Sequence, residues 1–143
     1  MKYLVAIVLL SIFAQSCSDC NRVDCIGDDR FQFNILSLQS NENLVFGPNP
    51  VIEKGDIQVF FINGGERKSE TVNFHSNSFI HFSPHISQSE YFLEAAGKID
   101  TLLFTFGRSG KSECCGPVNL ITQIMVNNVI QTPDSTGIIE LFR

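Results

Sequence analysis

Phe31-Gln32-Phe33-Asn34-Ile35 alternates apolar and polar residues, so an extended chain puts Phe31, Phe33 and Ile35 on one face and Gln32 and Asn34 on the other. That period predicts a half-buried β-strand, and the same signal recurs downstream. Ile57, Val59 and Phe61 share a face before the strong turn Asn63-Gly64-Gly65. Thr71–Phe74 and Phe79–Phe82 read as two more strands, and Leu44-Val45-Phe46 as a short one. Gly47-Pro48-Asn49-Pro50 is a loop that no helix or central strand could contain. Ser87–Ala96 carries caps for a short helix in Ser87, Glu90 and Gly97, yet Tyr91, Leu93 and Ala95 alternate, and its neighbours favour a strand. Ile99–Phe106, Val118–Ile130 with a turn at Asn127-Asn128, and Ile138–Phe142 complete the set. The expectation is an all-β fold: an antiparallel β-sandwich of immunoglobulin or transthyretin type, with about eight strands and a C-terminus tied into a sheet.

Upstream, the periodicity gives way to a different kind of segment. Lys2 starts a short basic region and Tyr3–Phe13 is apolar apart from Ser11. A bilayer-spanning helix needs about 20 apolar residues, and this run is roughly half that, so residues 1–16 read as an export signal. Ala14-Gln15-Ser16-Cys17 resembles a lipobox, with Ala14 where the usual motif has Leu. Lipidation at Cys17 is therefore expected, which implies a bacterial cell envelope and a membrane attachment through the lipid. Simple secretion is the competing reading, since Ala14-Gln15-Ser16 also satisfies the small-x-small rule. Residues 17–30 form a polar tether, and residues 31–143 the folded domain. Ser18-Asp19 resembles the acidic sorting signals of Gram-negative lipoproteins, which points to the outer membrane. Asp19, Asp24, Asp28 and Asp29 lack the spacing of a calcium loop.

The mature part is acidic: with Lys2 removed, nine Lys and Arg face fifteen Asp and Glu. An acidic surface repels phosphate backbones, so nucleic acid is excluded as a partner. Twelve of the thirteen Phe lie in this part, and burying each contributes about 1.5–3 kcal/mol, ample for a two-layer core.

With Cys17 lipidated, Cys20, Cys25, Cys114 and Cys115 remain, an even number suited to disulfides in an oxidising compartment. Adjacent Cα atoms lie about 3.8 Å apart, too close for the usual bridge, so Cys114 and Cys115 are expected to reach back to Cys20 and Cys25. Closing a loop of about 90 residues contributes roughly 4–5 kcal/mol in the chain-entropy model. A vicinal pair is awkward for tetrahedral zinc, and neither a metal nor a cofactor is expected.

The lipobox with Cys25 nearby, Phe31-Gln32-Phe33, Asn43-Leu44-Val45-Phe46, Tyr91-Phe92-Leu93, Asp100-Thr101-Leu102, and Cys114-Cys115 before a long strand resemble the small uncharacterised all-β lipoproteins of the Bacteroidota. The resemblance spans most of the mature chain and implies compartment and architecture. It brings no activity with it.

Motifs for catalysis are weak. Gly107-Arg108-Ser109-Gly110-Lys111-Ser112 departs from the phosphate loop because Thr105 stands where the first Gly is needed. Ser109 lacks the nucleophile-elbow frame, with Lys111 in place of the last Gly. His81 and His85 are four apart, but Pro84 interrupts the strand between them. Polar residues in the expected turns, Asn63, Arg67, Lys68, Asn77 and Arg108, are candidate binding groups, because sandwiches place recognition on such loops. The sequence thus points to a non-enzymatic binding or assembly module for an envelope protein or glycan. A small hydrolase or metal-dependent enzyme using His75, His81 or His85, and a soluble secreted inhibitor or adhesin, are the alternatives.

Overall fold

The computed structural model describes residues 29–47, 49–76, 79–110 and 116–143. By internal contacts the chain divides into a body, Asp28–Gly107 with Asn119–Arg143, and a second unit that includes Arg108–Val118. In the second unit the Ser109 N–H donates to the Val118 carbonyl at 2.9 Å, and the Val118 N–H donates to the Ser109 hydroxyl at 3.0 Å.

The body is a β-sandwich. Its strands are β1 (Phe31–Leu36), β2 (Gln58–Asn63), β3 (Glu66–Glu70), β4 (Asn73–His75), β5 (Phe79–Phe82), β6 (Glu90–Ala95), β7 (Lys98–Arg108), β8 (Asn119–Val126), β9 (Val129–Gln131) and β10 (Ile139–Phe142). One sheet has the order β10-β1-β5-β4 and the other β3-β2-β6-β7-β8-β9. Leaving aside β10, β8 and β9, these orders are B-E-D and C′-C-F-G, the strand order of an immunoglobulin sandwich. Two departures follow from the ends of the chain. β10 lies parallel to β1, pairing Phe33 with Ile139 and Ile35 with Leu141, where an antiparallel first strand would otherwise sit. β8 and β9 extend the second sheet beyond β7.

The alternation that identified β1 puts Phe31, Phe33 and Ile35 fully inside, where they meet Ile80 and Phe82 of β5 and Val59, Tyr91, Leu93, Leu102 and Phe104 of the facing sheet. Aromatic rings span the two layers: Phe31 lies 5.3 Å from Phe104, and Phe82 lies 5.4 Å from Tyr91, in tilted or edge-on contacts. The fully buried side chains among the described residues are aliphatic or aromatic, so apolar burial is the main force between the layers.

Ten strands stand where about eight were expected, and the differences have local causes. Leu44–Phe46 is a turn rather than a strand. The Asn43 side chain accepts the N–H groups of Val45 and Phe46 at 2.9 Å each, offering the backbone an alternative to a ladder. β3 is Glu-Arg-Lys-Ser-Glu, exposed along nearly its whole length, so it has no apolar period to betray it; the turn at Gly64-Gly65 brings it onto β2. Ser87–Ala96 does resolve as a strand, β6, and Val118–Ile130 as the hairpin β8–β9 turning at Asn127-Asn128. The C-terminus is tied in: the Arg143 N–H donates to the Leu36 carbonyl at 2.8 Å.

Candidate binding face

Alternation along the four-stranded sheet sends one set of side chains into the core and the other outward. The outward set from β1, β5 and β4 is Gln32, Asn34, Phe79, His81, Asn73 and His75. Register brings them together: Gln32 pairs with His81, His81 with Asn73, Phe79 with His75, and Asn34 with Glu140 of β10. The result is a patch of three rings flanked on both sides by amides. The His75 ring stacks on Phe79 at 4.7 Å and 10°, and His81 lies tilted against the same Phe at 6.0 Å.

Two polar atoms in this patch, Asn34 Oδ1 and His81 Nδ1, are buried without a hydrogen-bond partner. Left without any partner, such an atom carries a desolvation cost of about 1–3 kcal/mol. Burial also lowers the pKa of His81 below its ordinary value, with the charges of Arg30 and His75 adding to the effect. The neutral form of the His81 ring is thereby favoured, and in that form one nitrogen donates and the other accepts.

The remaining histidine, His85, lies in the loop between β5 and β6, beside a cleft of about 250 Å³ lined by Asp29, Pro84, Phe106 and Asn119 among others. Its Nδ1 accepts from the Ser87 hydroxyl at 2.7 Å and the Ser87 N–H at 3.3 Å, a local loop closure. Among the described residues no carboxylate bonds to any histidine, and no group of three or more His, Cys, Asp or Glu converges to hold a metal ion.

The turn residues proposed from sequence are placed as follows. Asn63, Arg67 and Lys68 share the β2–β3 hairpin. Arg67 is committed within the fold: its guanidinium lies 3.6 Å above the Phe60 ring and bonds Gln58 at 2.7 Å and Glu94 at 2.9 Å. Lys68 pairs with Glu66 at 2.6 Å on the surface. Arg108 ends β7, apart from that hairpin in sequence and strand. Asn77, and Cys17, Cys20, Cys25, Cys114 and Cys115, lie outside the described residues. Sequence reasoning weighed the histidines as metal ligands and passed over Gln32, Asn34, Asn73 and Phe79. Their signal was available, since strand alternation puts 32 with 34, 73 with 75, and 79 with 81, but which strands adjoin was not.

No protein-family model, no curated protein and no solved structure matches this chain.

Proposed function

We propose that this chain is a lipid-anchored protein of the bacterial cell envelope, acting as a non-enzymatic binding or assembly module. Cys17 is its attachment point, an envelope protein or glycan its partner, and the outer membrane its site. The observation that carries the binding role is the outward face of β1, β5 and β4, where His75, Phe79 and His81 stand among Gln32, Asn34 and Asn73. The cross-strand ring pair itself stabilises the sheet by about 0.2–1 kcal/mol, but the amides and imidazoles around it, two of them with unpartnered polar atoms, fit contact with a ligand better than a merely solvated face.

A histidine-dependent enzyme has less support. His75 and His81 meet a phenyl ring, and His85 meets a neighbouring serine, with no carboxylate among the described residues bonded to any of the three. The anchor is tested by metabolic labelling with palmitate in the wild type and in Cys17→Ser. Label confined to the wild type is expected, and equal label in both refutes the anchor. Affinity purification from crosslinked envelopes then compares the wild type with Phe79→Ala, whose partner should be lost.

A further inference from the structure

Apart from the ring patch, we infer that the outer edge of β10 takes an extended peptide strand of another protein, antiparallel to β10 and carrying a basic side chain opposite Glu140. The backbone of β10 gives the direction. Arg143 donates its N–H to the Leu36 carbonyl and accepts from the Leu38 N–H, each at 2.8 Å, so odd-numbered residues turn their peptide groups to β1 and even-numbered ones turn theirs outward. The first outward position is already met. The Ile138 carbonyl accepts the Asp134 N–H at 2.9 Å, and the Ile138 N–H donates to Asp134 Oδ1 at 3.0 Å, so the turn before β10 pairs with it as an added strand would. At Glu140 and Phe142 the same groups have no partner among the described residues.

Packing leaves room for a strand at that edge. Val126 of β8 and Val129 of β9 pair directly, which sets their side chains on one face of the sheet. Val126 is 7% exposed and Val129 is 61% exposed, so the core ends between these two strands and β9 overhangs the four-stranded sheet beyond β10. Two clefts of about 250 and 260 Å³ run along this step, both bounded by Gln131 on one side and by Glu140 and Phe142 on the other. An added strand would set alternate side chains beside Val129 and Leu141, and the others beside Glu140 and the exposed Phe142. Sheet edges are commonly guarded by charge or by brevity. β3 has Glu66, Arg67, Lys68 and Glu70, and β4 and β9 have three residues each, whereas β10 carries one charge and an exposed Phe.

The same step selects the occupant. A second copy joined β10 to β10 about a twofold axis would lay its own six-stranded sheet on the same side, and its β8 would fall where β9 stands. A lone strand brings no second sheet, and its backbone supplies the donors and acceptors that Glu140 and Phe142 present. Residues directly opposite in an antiparallel pair interact, and Glu140 makes no ion pair among the described residues. A Lys or Arg opposite Glu140, with an apolar residue opposite Phe142, completes the match.

The full chain, purified in detergent, is titrated by fluorescence anisotropy with capped peptides of about eight residues that alternate Val with Thr, carrying Lys, Glu or Ser at one central Thr position and Ile two residues before it. Saturable binding of the Lys peptide is expected, about fivefold tighter than the Glu peptide. Glu140→Lys, at an exposed site, should invert that order. N-methylation of the peptide's Lys amide, which would face β10, should weaken binding about tenfold or more, and N-methylation of the next Val, whose amide would face away, should not. Ile62→Ala, on β2, should leave binding unchanged. No saturable binding by any of the three peptides, an order that Glu140→Lys leaves as it was, or equal effects of the two N-methylations overturns the inference. Loss of the crosslinked partner on Phe79→Ala is a separate readout, so failure here leaves the ring patch standing.

Discussion

Tyr91 shows how much one hydroxyl decides. Its ring is fully buried, and its oxygen accepts the backbone N–H of His85, six residues upstream, at 2.7 Å. In immunoglobulin sandwiches a tyrosine at the start of strand F makes this corner, fixing the loop that carries the chain from one sheet to the other. Here that loop joins β5 to β6, and burial raises the pKa of the phenol. Tyr91→Phe leaves the His85 N–H without its partner while preserving the packing, so urea denaturation should show a loss of about 1–2 kcal/mol. His81 makes a second residue-scale prediction. Its folded pKa lies below the unfolded value of about 6.5, so the unfolded chain binds the proton more readily. Stability at this site is therefore complete above that value and declines as the pH falls from it towards the folded pKa. Between pH 7 and pH 5 the wild type should lose more stability than His81→Gln; equal losses would remove His81 as the cause.

At the scale of elements, the hairpin turns carry the register. Gly64-Gly65, Ala96-Gly97 and Asn127-Asn128 each place two consecutive residues at positive φ, the geometry of the two-residue turn that matches strand twist. Two of these were legible in sequence because Gly and Asn advertise that conformation. Ala96, at φ 51°, does not, and it is strained there. Ala96→Gly should accordingly raise stability by about 0.5–1 kcal/mol in thermal or urea unfolding. β10 depends on a different device. The Arg143 guanidinium pairs with Asp100 at 2.6 Å, with side chains only 7% and 13% exposed, while Asp100 also accepts from Asn127 Nδ2 at 2.8 Å. Thus the last residue clips β10 to β7 and to the β8–β9 turn. Arg143→Ala should destabilise by about 2–3 kcal/mol, since it strands a largely buried carboxylate. Asp100→Ala combined with it should cost much less than the sum, and a double-mutant cycle reads this directly.

For the whole molecule, the two layers are joined by aromatic and aliphatic burial. Antibody domains place a cysteine two residues after the corner tyrosine to bridge the sheets. This chain has Leu93 there, fully buried against the core. The sandwich should therefore survive reduction: with dithiothreitol, the far-UV β signal and a cooperative melt are expected to persist, whatever stability Cys20, Cys25, Cys114 and Cys115 add. Collapse to a non-cooperative melt would show that the core alone is insufficient.

The sequence by itself determined the class of fold, because a buried layer can be made only where apolar residues recur at the period of the strand, and Phe31, Phe33, Ile35, Tyr91 and Leu93 do so. It determined the turns whose residues tolerate positive φ. It could not reveal β3, whose polar residues have no burial to pattern them, nor the turn at Leu44–Phe46, where a side-chain oxygen outcompetes a ladder. Strand adjacency was decided only by the tertiary structure. Pairing β4, β5 and β1 depends on how two sheets share one core, a contact between residues far apart in the chain. For that reason the patch of His75, Phe79, His81, Gln32, Asn34 and Asn73 was written in the sequence residue by residue, yet became a surface only when the layers closed.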